Sequence, residues 1–264
     1  MFGSSLANSN IRAVNAYGWG VQFKRGSLQN FLVEHFGVFH LGTRMRNHIL
    51  NNILKKRELS GFKLLDAGCG IGLASIYYAP KFLTVTGVDL DGQKVRQAKT
   101  LAKNNFIKNV NFNVVNLTNA PFTKRQFDKI ICFEVIEHVS DDKKLIKGLS
   151  QLLKKDGEII LSFPSKTLMS RIAQKSLDHF KVGYVPSDIK EILKPLKLKI
   201  VEEYSFGKSL LGKTIVFIDF LLRKNAPIVA SAFFPIFYPL LLADYNLPHF
   251  GIPRGYVLVI RKNQ

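Results

Sequence analysis

The stretch Leu-Leu-Asp-Ala-Gly-Cys-Gly-Ile-Gly at residues 64–72 decides the fold of this chain. Phe62, Leu64 and Leu65 form an apolar run, which predicts a strand covered on both faces. Residues 71–78 then have a helical pattern. The glycines between them permit positive φ and close approach of a ligand, and a helix N-terminus offers N–H groups to a carboxylate or phosphate. The stretch therefore predicts a nucleotide-type binding site.

The spacing of the glycines separates two kinds of nucleotide site. A dinucleotide fingerprint has the pattern G-x-G-x-x-G. Here Asp66, Gly68, Gly70 and Gly72 give D-x-G-x-G-x-G. This pattern resembles motif I of the class I S-adenosyl-L-methionine (SAM)-dependent methyltransferases. The resemblance implies that SAM is the cofactor and that these four residues bind it, and it disfavours a nicotinamide dehydrogenase.

Two further segments fit the same cofactor. The strand predicted at 82–89 ends in Asp89, which follows Asp66 by 23 residues; an acid about 20 residues on meets a ribose in such sites. Asp91 is expected to cap the helix at 92–104. After a strand at 110–115, residues 116–122 resemble the family's D-A-x-x-L-P-F stretch. This resemblance implies that Asn116, in place of the acid, bonds the adenine amino group and that the Leu117 amide meets the ring.

The segment at 134–139, Glu-Val-Ile-Glu-His-Val, follows the strand predicted at 127–133. It resembles the quinone and lipid O-methyltransferases, which are of methyltransferase type 11. The resemblance implies that Glu134 lies beside the methionine part of SAM. It also implies that Glu137 and His138 face the reacting centre, with His138 the first candidate base and Glu137 or His179 the second.

The same residues leave two alternatives open. Two carboxylates and an imidazole suit Mg²⁺, Mn²⁺ or Zn²⁺, so Glu134, Glu137 and His138 would be a chemically reasonable metal set. Alternatively, Glu137 and His138 only begin and cap the following helix. We assign no metal ligand from the sequence.

The remaining pattern predicts a helix at 141–155, a strand at 158–163, a helix at 186–193 and strands at 198–205 and 255–262. The family implies an α/β, Rossmann-like, seven-stranded and mostly parallel sheet with helices on both faces, whose last strand is antiparallel at the sheet's end. The expected division is a helical lid at 1–57, a SAM-binding core at 58–206, an apolar helical insertion at 207–252 and the last strand at 253–264.

The insertion carries a long apolar run at 210–243, and no residue of 225–243 is charged. Its length matches a transmembrane helix, but a single crossing would separate the last strand from its sheet. Pro227, Pro235 and Pro239 are expected to break the run into short pieces. The sequence therefore predicts an amphipathic hairpin on an anionic membrane surface, or a cap over the substrate pocket, with Arg223 and Lys224 beside it.

Composition sets the remaining expectations. The 264 residues carry a formal net charge of +19, which favours an anionic partner or reflects a surface simply rich in lysine. The start of the chain has no secretory pattern, and Cys69 and Cys132 are expected to be buried thiols. The expected location is cytoplasmic, with peripheral contact at a membrane.

The expected activity is methyl transfer from SAM to an oxygen of an apolar or lipid-linked small molecule. A soluble saccharide or secondary metabolite is an alternative acceptor. Nucleic acid is a weaker one, because residues 133–136 lack the N-P-P-Y-like loop of the amino-methylating members. A SAM-binding scaffold without catalysis is a further alternative. The sequence does not indicate an oligomeric state.

Overall fold

The computed structural model describes residues 40–119, 125–167, 170–171 and 180–263. It contains one seven-stranded sheet in the order β3-β2-β1-β4-β5-β7-β6. The strands are β1 Lys63–Ala67, β2 Thr84–Asp89, β3 Val110–Val114, β4 Phe127–Phe133, β5 Leu153–Pro164, β6 Leu198–Phe206 and β7 Gly255–Lys262. The helices are α1 Leu41–Lys55, α2 Leu73–Tyr78, α3 Gly92–Asn104, α4 Asp142–Leu152, α5 Pro186–Leu193, α6 Leu210–Asn225 and α7 Pro227–Asp244.

The order of the strands confirms the predicted α/β, Rossmann-like fold. β1 pairs in parallel with β2 on one side and with β4 on the other. The strand order therefore proceeds outward from β1 on both sides, first through β2 and β3 and then through β4 and β5. Ligands bind such sheets at the carboxyl ends of the strands beside this switch point. β7 is antiparallel to both β5 and β6 and lies between them. β6 rather than β7 thus forms the edge of the sheet.

Helices cover both faces of the sheet. One core contains α4 and α5, with buried Ile146 and Ile189 among its members. The opposite core contains α1, α6 and α7, represented by Met45, Ile215 and Phe234. Alternate residues of β1 belong to the two cores, as expected for a strand buried on both sides. The apolar run at the first strand predicted its burial on both faces, and the family resemblance implied helices on both faces of the sheet.

The helix predicted at 141–155 ends earlier than expected. α4 ends at Leu152, and β5 begins at Leu153, which is buried and pairs with Phe127. The register between β4 and β5 shifts before Glu158, so the expected stop at residues 156–157 is an irregularity inside the strand. Burying Leu153 in the core requires the chain to leave the helix before that stop.

The prediction that prolines break the apolar run was wrong for Pro235 and Pro239, whereas the run does break just before Pro227. α7 is one helix that contains Pro235 and Pro239. Both prolines are exposed, so the backbone groups that they leave unpaired are near solvent. They are four residues apart and therefore lie on the same side of the helix. Pro227 occupies the first turn, where a missing N–H costs nothing.

α6 and α7 form a helical hairpin. The turn is at Ala226, whose N–H donates to Leu222 O. At the other end, the buried Asp244 carboxylate accepts the backbone N–H groups of Lys208 (3.0 Å) and Ser209 (2.9 Å). These bonds tie the end of α7 to the start of α6. In the described part of the chain, no helix is both long and apolar enough to cross a membrane.

Candidate active site

Three predicted site segments meet at the carboxyl ends of neighbouring strands. The glycine turn follows β1, Asp89 ends β2, and Glu134 follows β4. The backbone N–H groups of Gly68 and Cys69 both donate to Val88 O, at 2.8 and 2.9 Å. These bonds hold the turn against the end of β2. The site lies at the switch point of the sheet, where the fold places ligands.

The three glycines of the turn have different surroundings. All have positive φ, 79° at Gly68, 54° at Gly70 and 78° at Gly72. A Cβ at Gly68 would lie 2.2 Å from Val135, and one at Gly72 would lie 2.6 Å from the Phe112 ring. A Cβ at Gly70 would meet nothing within 4 Å. Packing therefore requires glycine at two positions, and the third faces open space that a ligand can fill.

Asp89 shapes this turn and keeps capacity for a ligand. Its Oδ2 accepts the N–H of Gly70 at 2.8 Å, and its Oδ1 accepts the N–H of Asp91 at 2.9 Å. A carboxylate oxygen has two lone pairs, so each oxygen can accept one more hydrogen bond. Both ribose hydroxyls of a nucleoside can therefore be bound. Asp91 caps α3 as expected, by accepting from Gln93 and Lys94.

Asp66 lies beneath the turn. Its carboxylate is buried and accepts a hydrogen bond from Ser75 Oγ at 2.6 Å. Burial raises the pKa of Asp66 to about 6, against the effect of the Ser75 bonds. The described contacts of Asp66 therefore brace the turn against α2. Its direct contact with a cofactor stays a prediction.

Asn116 begins a 3-10 turn, Leu117–Asn119, with Leu117 buried. Asn116 Oδ1 accepts from Thr118 N (3.0 Å) and from Thr118 Oγ1 (2.7 Å). Both lone pairs of this oxygen are therefore used within the turn. The group that Asn116 has left to offer an adenine is its amide NH₂, which donates and cannot accept.

We expect Asn116→Asp to tighten SAM binding by at least about tenfold. One carboxylate oxygen can keep the Thr118 bonds while the second accepts from the adenine amino group, and a hydrogen bond to a charged group contributes about 1.5–3 kcal/mol. Calorimetric titration with SAM measures the change. Asn119→Asp, in the same turn, adds the same charge and should leave the affinity unchanged. Equal tightening in both variants would indicate a general charge effect instead.

Glu134 has an unusual backbone conformation for a side-chain-bearing residue, with φ of 53°. Such strain persists where surrounding structure enforces it, and it is frequent at functional sites. Glu134 Oε1 accepts from Ser162 Oγ at 2.8 Å, and Oε2 lies 3.3 Å from Arg46 Nη1. The carboxylate is therefore fixed at the end of β4 beside a cation from α1.

Glu137 and His138 follow in the 3-10 turn Ile136–His138 and differ in their exposure to solvent. The Glu137 residue is 1% exposed, whereas His138 is exposed. Glu137 Oε2 has no hydrogen-bond partner among the described residues. Burial, followed by the charge of Glu134, raises the pKa of Glu137 well above its usual value. Glu137 is therefore suited to donate a hydrogen bond as a neutral acid.

The other predicted catalytic residue, His179, lies outside the described residues. Among the residues that the structure describes, no group of three His, Cys, Asp or Glu side chains is arranged to hold a metal ion. The roles of His138, Glu137 and His179 in catalysis stay predictions.

Two arginines at the site were not found from the sequence. Arg46 is on α1 and only 9% exposed. Arg254 precedes β7, and its N–H donates to Phe206 O (3.0 Å) and Gly207 O (3.1 Å). Burial lowers the pKa of Arg254, and the charges of Glu134 and Glu137 act in the opposite direction. Neither arginine belongs to a motif, so only the folded chain shows that they lie near these carboxylates.

Comparison with known proteins identifies the family and the fold of the chain. The model of a methyltransferase domain family matches residues 58–202, which is more than half of the chain. A ubiquinone biosynthesis O-methyltransferase of Rickettsia akari is 31% identical over 166 residues, covering 61% of this chain and 65% of the relative. The corresponding Rickettsia felis protein is 30% identical over 172 residues, covering 62% and 68%. The chain thus spans about two thirds of the length of these relatives.

Solved structures show the same fold. YcgJ protein from Bacillus subtilis superposes with a TM-score of 0.59 at 18% identity, covering 83% of this chain and 99% of that one. Phosphoethanolamine N-methyltransferase 2 of Haemonchus contortus, in complex with SAM, gives a TM-score of 0.59 at 18% identity, covering 86% and 53%. Together with the match over residues 58–202, the glycine turn that leaves open space at Gly70 and the carboxylate of Asp89 fit SAM as the cofactor. The chain belongs to the methyltransferase domain family and is a class I SAM-dependent methyltransferase.

Proposed function

We propose that this enzyme methylates a hydroxyl oxygen of an apolar, lipid-linked acceptor at a membrane surface. The observation that carries the proposal is the apolar outer face of the α6–α7 hairpin, which lies next to the site. The names of the curated relatives, ubiquinone biosynthesis O-methyltransferases, support an oxygen acceptor on a quinone-related molecule. In this proposal residues 58–206 are the SAM-binding core, 1–57 are a lid, 207–252 are the insertion that contacts lipid, and 253–264 complete the sheet.

The chain offers a separate group for each part of SAM. Asp89 would bind the ribose, Asn116 and Leu117 the adenine, and the open space at Gly70 the chain between them. Glu134 and Arg46 form a pair of opposite charges that suits the ammonium and carboxylate of the methionine part. When bound, SAM supplies an activated methyl group, so the protein mainly aligns the acceptor and excludes water.

A hydroxyl acceptor must also lose its proton. His138 remains the first candidate base, because the pKa of histidine lies near neutral pH. Glu137 is a poorer base in this proposal, since burial raises the pKa of its carboxyl and so disfavours the ionised form that accepts a proton. His179 is the other candidate for this role.

The hairpin carries apolar side chains on its outer face as well as towards the core. α6 buries Asp219 and α7 buries Asp244, while large apolar side chains face outward. On α6 the exposed apolar residues are Leu210, Leu211, Phe217, Ile218 and Leu221, and on α7 they are Val229, Phe233, Ile236 and Leu240. Exposed apolar surface of this extent marks an interaction site. An apolar helix face with basic residues nearby is typical of a helix that lies in a membrane interface.

Charge favours an anionic lipid surface as the partner of this face. Lys213 contacts Phe250 through both the Phe250 carbonyl oxygen and the ring face. Lys208 lies over the Tyr245 ring, 5.7 Å from its centroid. Both lysines are at the end of the hairpin where Phe250 is 63% exposed. Basic residues near the surface of an anionic membrane contribute about 1 kcal/mol each.

α1 connects the hairpin to the site. Arg46 on this helix lies beside Glu134, and Arg44 lies over the Tyr238 ring of α7, 4.9 Å from its centroid. At the start of the hairpin, Gly207 accepts the backbone N–H of Arg254. An acceptor held in lipid against the hairpin would therefore be close to the site.

We expect Phe217→Ser combined with Ile236→Ser to reduce binding to anionic vesicles at least tenfold. The two side chains are 45% and 56% exposed, so each is only partly packed in the fold, whereas burying an apolar side chain in lipid contributes about 1.5–3 kcal/mol. Cosedimentation with phosphatidylglycerol vesicles measures the binding. Leu83→Ser combined with Phe106→Ser is the matched control, because these residues are also exposed (52% and 84%) but lie away from the hairpin. Equal loss in both double variants would contradict the assignment of the surface.

Transfer of labelled methyl groups from SAM into a total cell extract tests the proposed function. The extract is separated into organic-soluble, nucleic-acid and small polar fractions. We expect label in the organic fraction, and less of it with His138→Ala and with the Phe217/Ile236 variant. Label confined to nucleic acid or to polar metabolites would overturn the proposal. Retained SAM binding with no label in any fraction would indicate a scaffold instead.

A further inference from the structure

The charges of the site beside Glu134 are not balanced. Arg46 and Arg254 provide two guanidinium groups there. Glu134 pairs with Arg46 at 3.3 Å. Among the residues that the structure describes, no carboxylate lies within 4.0 Å of the Arg254 guanidinium. Its polar side-chain contact in the same set is Ser170 Oγ, at 3.4 Å from Nη1, which is long for a hydrogen bond.

Glu137 does not supply the missing negative charge. Its side chain is buried, and its Oε2 lacks a hydrogen-bond partner within the described ranges. An ionised carboxylate with a bare oxygen in such a position would be very costly, so the carboxyl stays protonated. Two cations therefore face one ionised acid. The sulfonium of SAM would add a further positive charge to the same space.

The position of Arg254 makes it available to an acceptor. Its backbone is held on both sides of its Cα. The N–H donates to Phe206 O and Gly207 O, and the carbonyl accepts from Ser165 N at 3.1 Å. This places the residue at the carboxyl ends of β5 and β6, the side of the sheet where the glycine turn lies. Arg46 is already paired, whereas a guanidinium without a carboxylate suits an incoming oxyanion.

We propose that Arg254 binds the hydroxyl oxygen of the acceptor as an oxyanion. The inference rests on the proposed function and adds the residue that holds the reacting oxygen. His138, the first candidate base and exposed to solvent, takes the hydroxyl proton when the acceptor binds and passes it to water. The oxygen lone pair then forms the bond to the methyl carbon while the carbon–sulfur bond breaks. Its electron pair stays on sulfur, which leaves a neutral thioether and a neutral ether.

Spectroscopic titration of bound 4-nitrocatechol tests the inference without turnover. The phenolate of this probe absorbs visible light, so its pKa can be measured on protein loaded with S-adenosylhomocysteine. We expect the pKa of the bound probe to lie about one to three units below that of the free probe, the range produced by a neighbouring opposite charge. Arg254→Gln should return it to the free value, and Arg254→Lys should restore part of the shift.

Two controls separate this role from a structural one. Arg96→Gln removes the same charge from the exposed face of α3 and should leave the titration unchanged. Calorimetry with SAM should give the same affinity for Arg254→Gln as for the unchanged protein. A fall in the SAM affinity of Arg254→Gln as large as its loss of probe binding would overturn the inference. An unshifted probe pKa in the unchanged protein, or failure of the loaded protein to bind the probe, would overturn it as well.

The outcome is distinguishable from failure of the proposed function. Label in the organic fraction together with an unshifted probe would overturn the role of Arg254 and leave the lipid-linked acceptor in place. Label only in nucleic acid or polar metabolites, with a strongly shifted probe, would overturn the lipid acceptor and leave the oxyanion site. If organic material carries no label and the probe does not bind, both proposals are overturned.

Discussion

Asp89→Ala is expected to weaken SAM binding about 100-fold. The carboxylate holds the Gly70 N–H at 2.8 Å and has a free lone pair on each oxygen for the two ribose hydroxyls. A hydrogen bond to a charged group contributes about 1.5–3 kcal/mol, so loss of the two ribose bonds already reaches this factor at the lower value. Loosening of the glycine turn adds to it. Calorimetric titration with SAM and with S-adenosylhomocysteine measures the affinity.

Asp91→Ala is the matched control for this prediction. Asp91 lies two residues further on, and its side chain accepts only from the start of α3, at Gln93 and Lys94. Its backbone N–H, which donates to Asp89, is unchanged in the variant. We therefore expect a slightly less stable protein with unaltered affinity for SAM. Comparable weakening by both variants would mean that the loop acts as a unit and that Asp89 has no specific contact with the ribose.

The sheet and the cofactor half of the site could be predicted because their signals are local. β4 and β7 have the predicted bounds, since each is a run of apolar residues ended by a turn. The glycine turn and Asp89 follow their strands directly, so their place at the carboxyl edge depends only on the strands being parallel. The Asp91 cap is equally local, because it joins residues two and three positions apart.

The rest depends on contacts between distant parts of the chain. Arg46 pairs with Glu134, and the charge of the same carboxylate acts on Arg254, although the two arginines are about 200 residues apart and no motif marks either. The continuity of α7 through Pro235 and Pro239 depends on both prolines facing outward. Sequence pattern could not show which apolar residues of the hairpin face outward either. Both helices are apolar around most of their circumference, so only packing shows that Ile215 and Phe234 are buried and that Phe217 is exposed.

A second charge cluster lies at the ends of the strands opposite the glycine turn. Glu158 on β5 is 1% exposed, and its Oε2 lies 2.7 Å from Lys129 Nζ and 2.8 Å from Arg57 Nε. Arg261 on β7 donates to its Oε1. The side chain of Lys129 is itself only 7% exposed. One buried carboxylate therefore contacts three cations, and of these Arg57 also pairs with Glu202 at 2.5 Å.

We expect Glu158→Gln to lower the free energy of unfolding by about 3–5 kcal/mol, the cost of breaking a buried ion pair from one side. The glutamine keeps the shape of the side chain but leaves Lys129 buried without its counterion. Urea unfolding at pH 7 measures the loss. Glu203→Gln, an exposed position on β6, removes the same charge and should change the stability by less than about 0.5 kcal/mol. Because the cluster is remote from the site, SAM affinity at low urea should be unchanged.

The same cluster predicts how stability depends on pH. The hydrogen bonds and charges of Lys129, Arg261 and Arg57 lower the pKa of Glu158 to about 2, against the opposing effect of burial. A carboxyl whose pKa is depressed by folding stabilises fully above its unfolded pKa of about 4.3 and loses that contribution as the pH falls towards its folded pKa. The gap in unfolding free energy between the unchanged protein and Glu158→Gln should therefore be constant above about pH 5 and should narrow from about pH 4 towards pH 2. A gap that widens on acidification, or one that equals the Glu203→Gln gap at pH 7, would show that the folded protein does not depend on this carboxylate.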